Sequence, residues 1–118
     1  MKAGTLFLKG KIKMLCYYNS KTAVKCGINS AMIAGHLWIV VEKYGKIHNN
    51  KKWLRCSEKM LTAVFPFLGR TAVHNAVKRL ENNGIVIRKR YNENPFDRTF
   101  SFAFTDYGAK LMEEEKIW

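Results

Sequence analysis

Acidic residues are scarce in this chain, and none precedes Glu42. Nine Asp and Glu stand against 21 Lys and Arg, a formal net charge of +12, with a pI near 9.9. So few carboxylates leave a metal-dependent nuclease little to work with. The same imbalance favours polyanionic partners, nucleic acid first and anionic membrane second. Cysteines are also few. Cys16, Cys26 and Cys56 are widely spaced and odd in number, with no C-x-x-C pair and no Cys/His cluster at zinc spacing. Reduced, buried thiols and no structural metal are therefore expected. Long hydrophobic runs are missing. The longest nearly apolar stretch, 31–41, includes Gly35 and His36 and is too short to span a bilayer. Lys9 interrupts the N-terminal apolar stretch and no cleavage-site pattern follows, so no signal peptide is expected. The expectation is a soluble protein of the cytoplasm, without a membrane partner. No Ser-containing nucleophile elbow or Gly-rich phosphate loop occurs. Nothing in the spacing pairs Cys26 or Cys56 with His36, His48 or His74. Catalysis, a cofactor and a small-molecule substrate are accordingly not expected. Repeats, low-complexity segments and Pro/Gly/Ser linkers are lacking too.

What is present suffices for one domain: 118 residues, 47% hydrophobic and 13% aromatic, enough for a core without disulfide or metal support. Residues 1–28 read as a basic N-terminal extension. Within it, 5–18 alternate around Lys9-Gly10 as one or two short strands, and 20–26 form a short helix closed by Gly27. Asn29 is suited to cap the next helix, with Ile28 and Ile33 as a hydrophobic staple. Ile33, Leu37, Val40, Val41 and Tyr44 form its apolar stripe, and Gly45 stops it. Residues 46–52 read as a polar connection and 53–56 as a short strand. Ser57 caps a helix over 58–65, with Glu58 at the positive end of its dipole, and Pro66 ends it.

The stretch 69–104 then combines three rhythms. A helix runs from Gly69, a passable N-cap, to about Asn83, where Gly84 gives a left-handed exit. Val73, Ala76, Val77 and Leu80 form its buried face. Thr71, Asn75, Lys78 and Asn82 point the opposite way, with His74 and Arg79 on the flanks. Residues 85–91 alternate as a strand whose cations fall in the run Arg88-Lys89-Arg90, which no core would bury. Residues 92–98 are a loop tip containing Asn94. On the returning strand Phe100, Phe102 and Phe104 share one face and Thr99, Ser101, Ala103 and Thr105 the other. The order is that of an α+β winged helix-turn-helix, with its core over 29–105, the helix from Gly69 as recognition helix and the hairpin as wing. Thr105 to Gly108 open a final helix over 106–118. Its Leu111, Met112, Ile117 and Trp118 must pack on the body or on a second copy. Glu113, Glu114 and Glu115 keep it away from phosphate.

Several of these segments, among them "KCGINSAMIAGHLWIVVEK" and "YNENPFDRTFSFAFT", resemble the N-terminal winged-helix region of replication-initiation (replisome-organiser) proteins of bacteriophages and mobile elements. The shared features are Gly27-x-Asn29, Ala31, Trp53 and Phe65-Pro66-Phe67, followed by Leu80-Glu81, Gly84 and Asp97-Arg98-Thr99. The match covers residues 23–105. It implies sequence-specific binding of double-stranded DNA in a phage or plasmid setting, inside a bacterial host cell. Gly69 stands where relatives usually have Ser, and His74 and Asn75 stand where they carry basic residues, which implies a different recognised sequence. Relatives continue into a domain that recruits replication machinery. A chain ending at Trp118 makes a repressor or accessory protein as fitting an expectation as an initiator.

The candidate DNA-binding residues are Arg70, Thr71, His74, Asn75, Lys78, Arg88, Arg90, Asn94 and Arg98. Asn matches the paired donor and acceptor of adenine in the major groove. Arg70 stands at a helix start, where backbone N–H groups favour phosphate. His74 either touches DNA or packs locally. Arg98 either reaches phosphate or the minor groove, or pairs with Asp97 or Glu93. The Phe100, Phe102, Phe104 face is assigned to core packing rather than to stacking on single-stranded RNA. A homodimer is expected, because many winged-helix proteins bind two half-sites. The alternative class is a protein-docking winged helix, or an RNA-binding module, acting on a host nucleic-acid complex.

Overall fold

The computed structural model describes the backbone of residues 2–8, 12–90 and 96–114, with side chains from Tyr18 onward. It is an α+β fold. Strands β1 (Lys2–Leu8) and β2 (Ile12–Tyr18) pair antiparallel as a separate two-stranded sheet, and β2 lies against helix α2. Helices α1 (Ser20–Cys26) and α2 (Ile28–Tyr44) follow, then strands β3 (Lys46–His48) and β4 (Lys51–Arg55). Helix α3 (Glu58–Val64), helix α4 (Gly69–Asn82), strands β5 (Val86–Lys89) and β6 (Ser101–Phe104) and helix α5 (Asp106–Glu113) complete the chain. The second sheet is antiparallel, in the order β3-β4-β6-β5.

Local chemistry accounts for most boundaries. Asn19 caps α1 by accepting from the Thr22 amide, Ser57 caps α3 by accepting from Met60, and Thr105 caps α5 by accepting from Gly108. The expected Asn29 cap gives way to Gly27, whose φ of 89° lets α1 run directly into α2. Asn29 therefore falls in the first turn. At the other end of that helix Tyr44 is 70% exposed, because the last turn runs past the core. The expected polar connection over 46–52 is instead a tight hairpin. Asn49 and Asn50 both take positive φ, 51° and 65°, the backbone that a two-residue turn needs to match strand twist. Gly69 also takes a positive φ, 75°, but the N-cap of α4 is Leu68, with no side-chain bond.

One core joins the helices to the sheet. Ile33, Leu37 and Val41 of α2 meet Val73, Ala76, Val77 and Leu80 of α4, with Leu61 and Phe65 beside them. Phe102 and Phe104 supply the sheet's share, and Leu111 and Met112 bring in α5. Fully burying each large aliphatic or aromatic group is favourable by roughly 1.5–3 kcal/mol. Ser30 Oγ donates to the Ala76 carbonyl at 2.9 Å, tying α2 to α4 within that core. The final helix packs on the body, as expected. Its expected Ile117 and Trp118 lie outside the described residues. Both faces of β6 are buried, including Ser101 and Ala103, where the sequence suggested a solvent face. β6 is a central strand: Ser101 lies between the longer Arg55 of β4 and Lys89 of β5, and Ala103 is opposite Ile87 of β5. Trp53 is buried on this side, with Nε1 donating to the His48 carbonyl at 3.1 Å. Among the described residues, no helix is long and apolar enough to cross a membrane.

Candidate nucleic-acid interface

Helix α3, the turn 65–68 and helix α4 form a compact corner. Leu61, Phe65 and the Val73/Ala76/Val77/Leu80 face are turned inward, so the opposite face of α4 is exposed. Arg70, Thr71, His74, Asn75 and Lys78 are all exposed there. The side chains of Arg70, Thr71, Asn75 and Lys78 make no hydrogen bond or ion pair among the described residues. A shallow cleft of about 270 Å³ between the two helices is lined by Glu58, Lys59, Thr62, Arg70, Thr71 and His74.

His74 is engaged locally. Its Nδ1 lies 2.9 Å from Glu58 Oε1, so this histidine of the exposed α4 face is oriented by the first residue of α3. Glu58 also takes Arg88 from β5, with Nη1 to Oε2 at 3.0 Å. The other arm of that guanidinium meets Glu81 Oε1 at 2.6 Å. Burial works to lower the Arg88 pKa, and the hydrogen bonds and attraction of Glu81 and Glu58 outweigh it and raise the value. The Arg88 side chain is only 13% exposed. That departs from the expectation of a cationic run that no core would bury. The cause is register: Arg88 pairs with Phe102 in the ladder and so stands on the inward face of β5, where two carboxylates accept it.

Arg90 and Arg98 behave differently. Both are exposed, and the Arg90 guanidinium lies 4.8 Å from the centroid of the Phe100 ring. Arg98 makes no ion pair among the described residues. Asp97, one of the partners considered for Arg98, is taken by Arg55 at 2.8 Å and accepts from the Thr99 amide at 3.0 Å. The Arg55 hydrogen bond, followed by those from Thr99, holds the Asp97 carboxyl down to about 2. This knot fixes the chain where it enters β6. A second cleft, about 380 Å³, is lined by Cys56, Ser57, Glu58, Arg88, Arg98, Thr99 and Phe100. Glu58 therefore borders both clefts. Asn94 lies outside the described residues.

The structure thus brings Arg70, Thr71, His74, Asn75 and Lys78 onto one helix face, and puts Arg90 just after β5 and Arg98 shortly before β6. Glu58 and Glu81 were missed as members of this surface. Glu81 is near Arg88 in sequence, across the Gly84 turn. Glu58 is 30 residues away from it, and no local pattern announces that meeting. Lys59 was missed as well, an exposed cation beside Arg70 in the first cleft.

Burial pushes the Cys56 thiol up to about 11 and raises that of Cys26, whereas a nucleophilic cysteine needs a lowered value. Among the described residues, no three His, Cys, Asp or Glu side chains gather as a metal site. No family model, no curated protein and no solved structure matches this chain.

Proposed function

We propose that this protein is a winged helix-turn-helix that binds double-stranded DNA with sequence preference, in phage or mobile-element replication initiation or transcriptional regulation. Its setting would be the cytoplasm of a bacterial host. The observation that carries the reading is the α4 face. Thr71, Asn75 and Lys78 are exposed without partners among the described residues, on a helix whose other side is anchored in the core. A rigid helix with a free polar face is what major-groove reading requires.

The topology supports the same reading. Helix α2, strand β4, helices α3 and α4, then the antiparallel pair β5 and β6 follow one another, with β6 between β4 and β5. A winged helix would have this element order, and on that reading α4 is the recognition helix and β5–β6 the stem of the wing. Arg70 and Lys78 on α4, with Arg90 and Arg98 beyond β5 and before β6, give phosphate contacts on either side of the base-reading face. A second copy on a second half-site would follow the usual symmetry of such proteins.

The deciding experiment is fluorescence anisotropy with random duplex and with duplex enriched by rounds of selection, over a salt series. Binding to both, tighter to the selected sequence and falling steeply with salt, is expected. Failure to bind either at low salt would end the DNA reading. A second reading, docking to an acidic protein, is favoured by Phe96, which is 89% exposed close to Arg98 in sequence. Silence on DNA would direct attention to it.

A further inference from the structure

We propose that Arg88 is a positioning residue that locks the recognition helix and the wing into one geometry, and that it does not itself contact DNA. The inference rests on the DNA-binding reading above and adds to it how base reading and backbone grip are kept in register.

The Arg88 guanidinium joins several parts of the fold. One arm meets Glu58 at the start of α3 and the other meets Glu81 in the last turn of α4. Its plane lies near Phe100 and Phe102, at 5.2 and 5.7 Å from the ring centroids. Arg88 itself belongs to β5, the first strand of the wing. Through Glu58 the link continues to His74 on the exposed face of α4. Only a planar fork satisfies two carboxylates in different directions while lying against aromatic rings. A lysine ammonium offers the charge without that geometry.

The same contacts argue against a phosphate role. Two terminal nitrogens already donate to carboxylates, and the side chain is 13% exposed. An approaching phosphate would also meet Glu58 and Glu81, the two carboxylates that already hold the guanidinium. Exposed cations line the two clefts that Glu58 borders: Lys59 and Arg70 in the first, Arg98 in the second. Arg88 joins the start of α3, the last turn of α4 and β5, and so fixes how the exposed cations of the two clefts are spaced.

Two variants separate clamp from contact. Arg88→Lys keeps the charge and removes the fork. Arg88→Met with Glu81→Gln removes one charge of each sign, so net charge is conserved. Replacing a buried ion pair by groups of similar volume is often tolerated, and circular dichroism confirms the fold of each variant first. Both should lower the ratio of selected-site to random-duplex affinity by about tenfold, the scale of one mismatched base pair. The salt slope on random duplex should stay at the wild-type value. A phosphate contact gives the opposite pattern. Arg88→Lys would then bind like wild type, and the double variant would lose about 0.9 from the slope of log affinity against log salt. That outcome overturns the clamp. A readout without DNA keeps the two proposals apart. Amide hydrogen exchange in Arg88→Lys should speed up by about tenfold in both β5 and the first turn of α3, as local opening becomes easier. Unchanged exchange there would refute the clamp even if wild-type protein binds DNA. Faster exchange would uphold it as a structural lock even if wild-type protein binds none.

Discussion

Asn19 Nδ2 donates to the Leu111 carbonyl at 2.8 Å, across 92 residues of sequence. The same side chain caps α1, its Oδ1 accepting from the Thr22 amide at 3.0 Å. One fully buried amide thus ends one helix and holds another, and Lys21 with Glu114 adds an exposed ion pair across the same junction. Asn19→Ala removes a cap and strands buried partners, so a loss of about 2–3 kcal/mol is expected. Urea unfolding measures it. A change below about 0.5 kcal/mol, the scale of an ordinary surface substitution, would mean that α5 is held by Leu111 and Met112 alone.

Gly108 gives a sharper test of how α5 sits. A Cβ built at this position would lie 2.0 Å from the Ile85 carbonyl oxygen, an atom of the backbone. The helix approaches the backbone just before β5 too closely for any side chain there. Gly108→Ala should destabilise despite alanine's better helix propensity, by about 1–3 kcal/mol as overpacking does. Thermal unfolding that shows a stabilised variant would show that α5 docks elsewhere in solution.

Much of this architecture was legible because its signals are local. Ser57 and Gly84 bracket the α3–α4 corner within a few residues of the backbone they serve. The 3.6-residue rhythm of Val73, Ala76, Val77 and Leu80 names the buried face of α4 directly. Two departures have signals that are readable in the sequence itself. The Asn49-Asn50 pair favours the left-handed backbone of a tight hairpin, and Gly27 can start α2 as readily as Asn29. Arg88 is a different case. Which face of β5 it occupies depends on the β5–β6 register, and what meets it depends on α3 packing nearby. Neither is written within the stretch 85–91. The electrostatic character of the surface was therefore the least legible part: a run of three cations resolves into one clamped side chain and two exposed ones.

The pH dependence of the segment entering β6 follows from Asp97. Its folded carboxyl sits at about 2, chiefly through Arg55, below the ordinary value of about 3.9. A depressed folded pKa contributes stability that is fully present above the unfolded value and is lost as pH falls through the folded one. The stability gap between wild type and Asp97→Asn should therefore be constant at neutral pH and narrow between about pH 4 and pH 2. Titration of the Asp97 carboxyl carbon by NMR reads the midpoint directly. A midpoint near the ordinary value would show that the Arg55 contact is not maintained in solution.

On the proposed reading, α4 and the cations flanking the β5–β6 pair should fail differently when stripped of their exposed groups. Arg90→Ala with Arg98→Ala removes two exposed cations and leaves the Arg88 hydrogen bonds to Glu58 and Glu81 in place. Binding to every duplex should weaken, and the salt slope should fall by about 0.9 for each phosphate that the wild-type pair neutralises. Asn75→Ala instead removes a partner-free amide from the centre of the α4 face. It should cost about 1–3 kcal/mol on the selected site alone and leave random-duplex binding and its salt slope unchanged. All three positions are exposed, so unfolding midpoints should match wild type, and anisotropy titrations follow once that is established. Equal losses on selected and random duplex for Asn75→Ala would mean that α4 meets DNA through a different face. An unaltered slope for the arginine pair would mean that the wing does not grip the backbone.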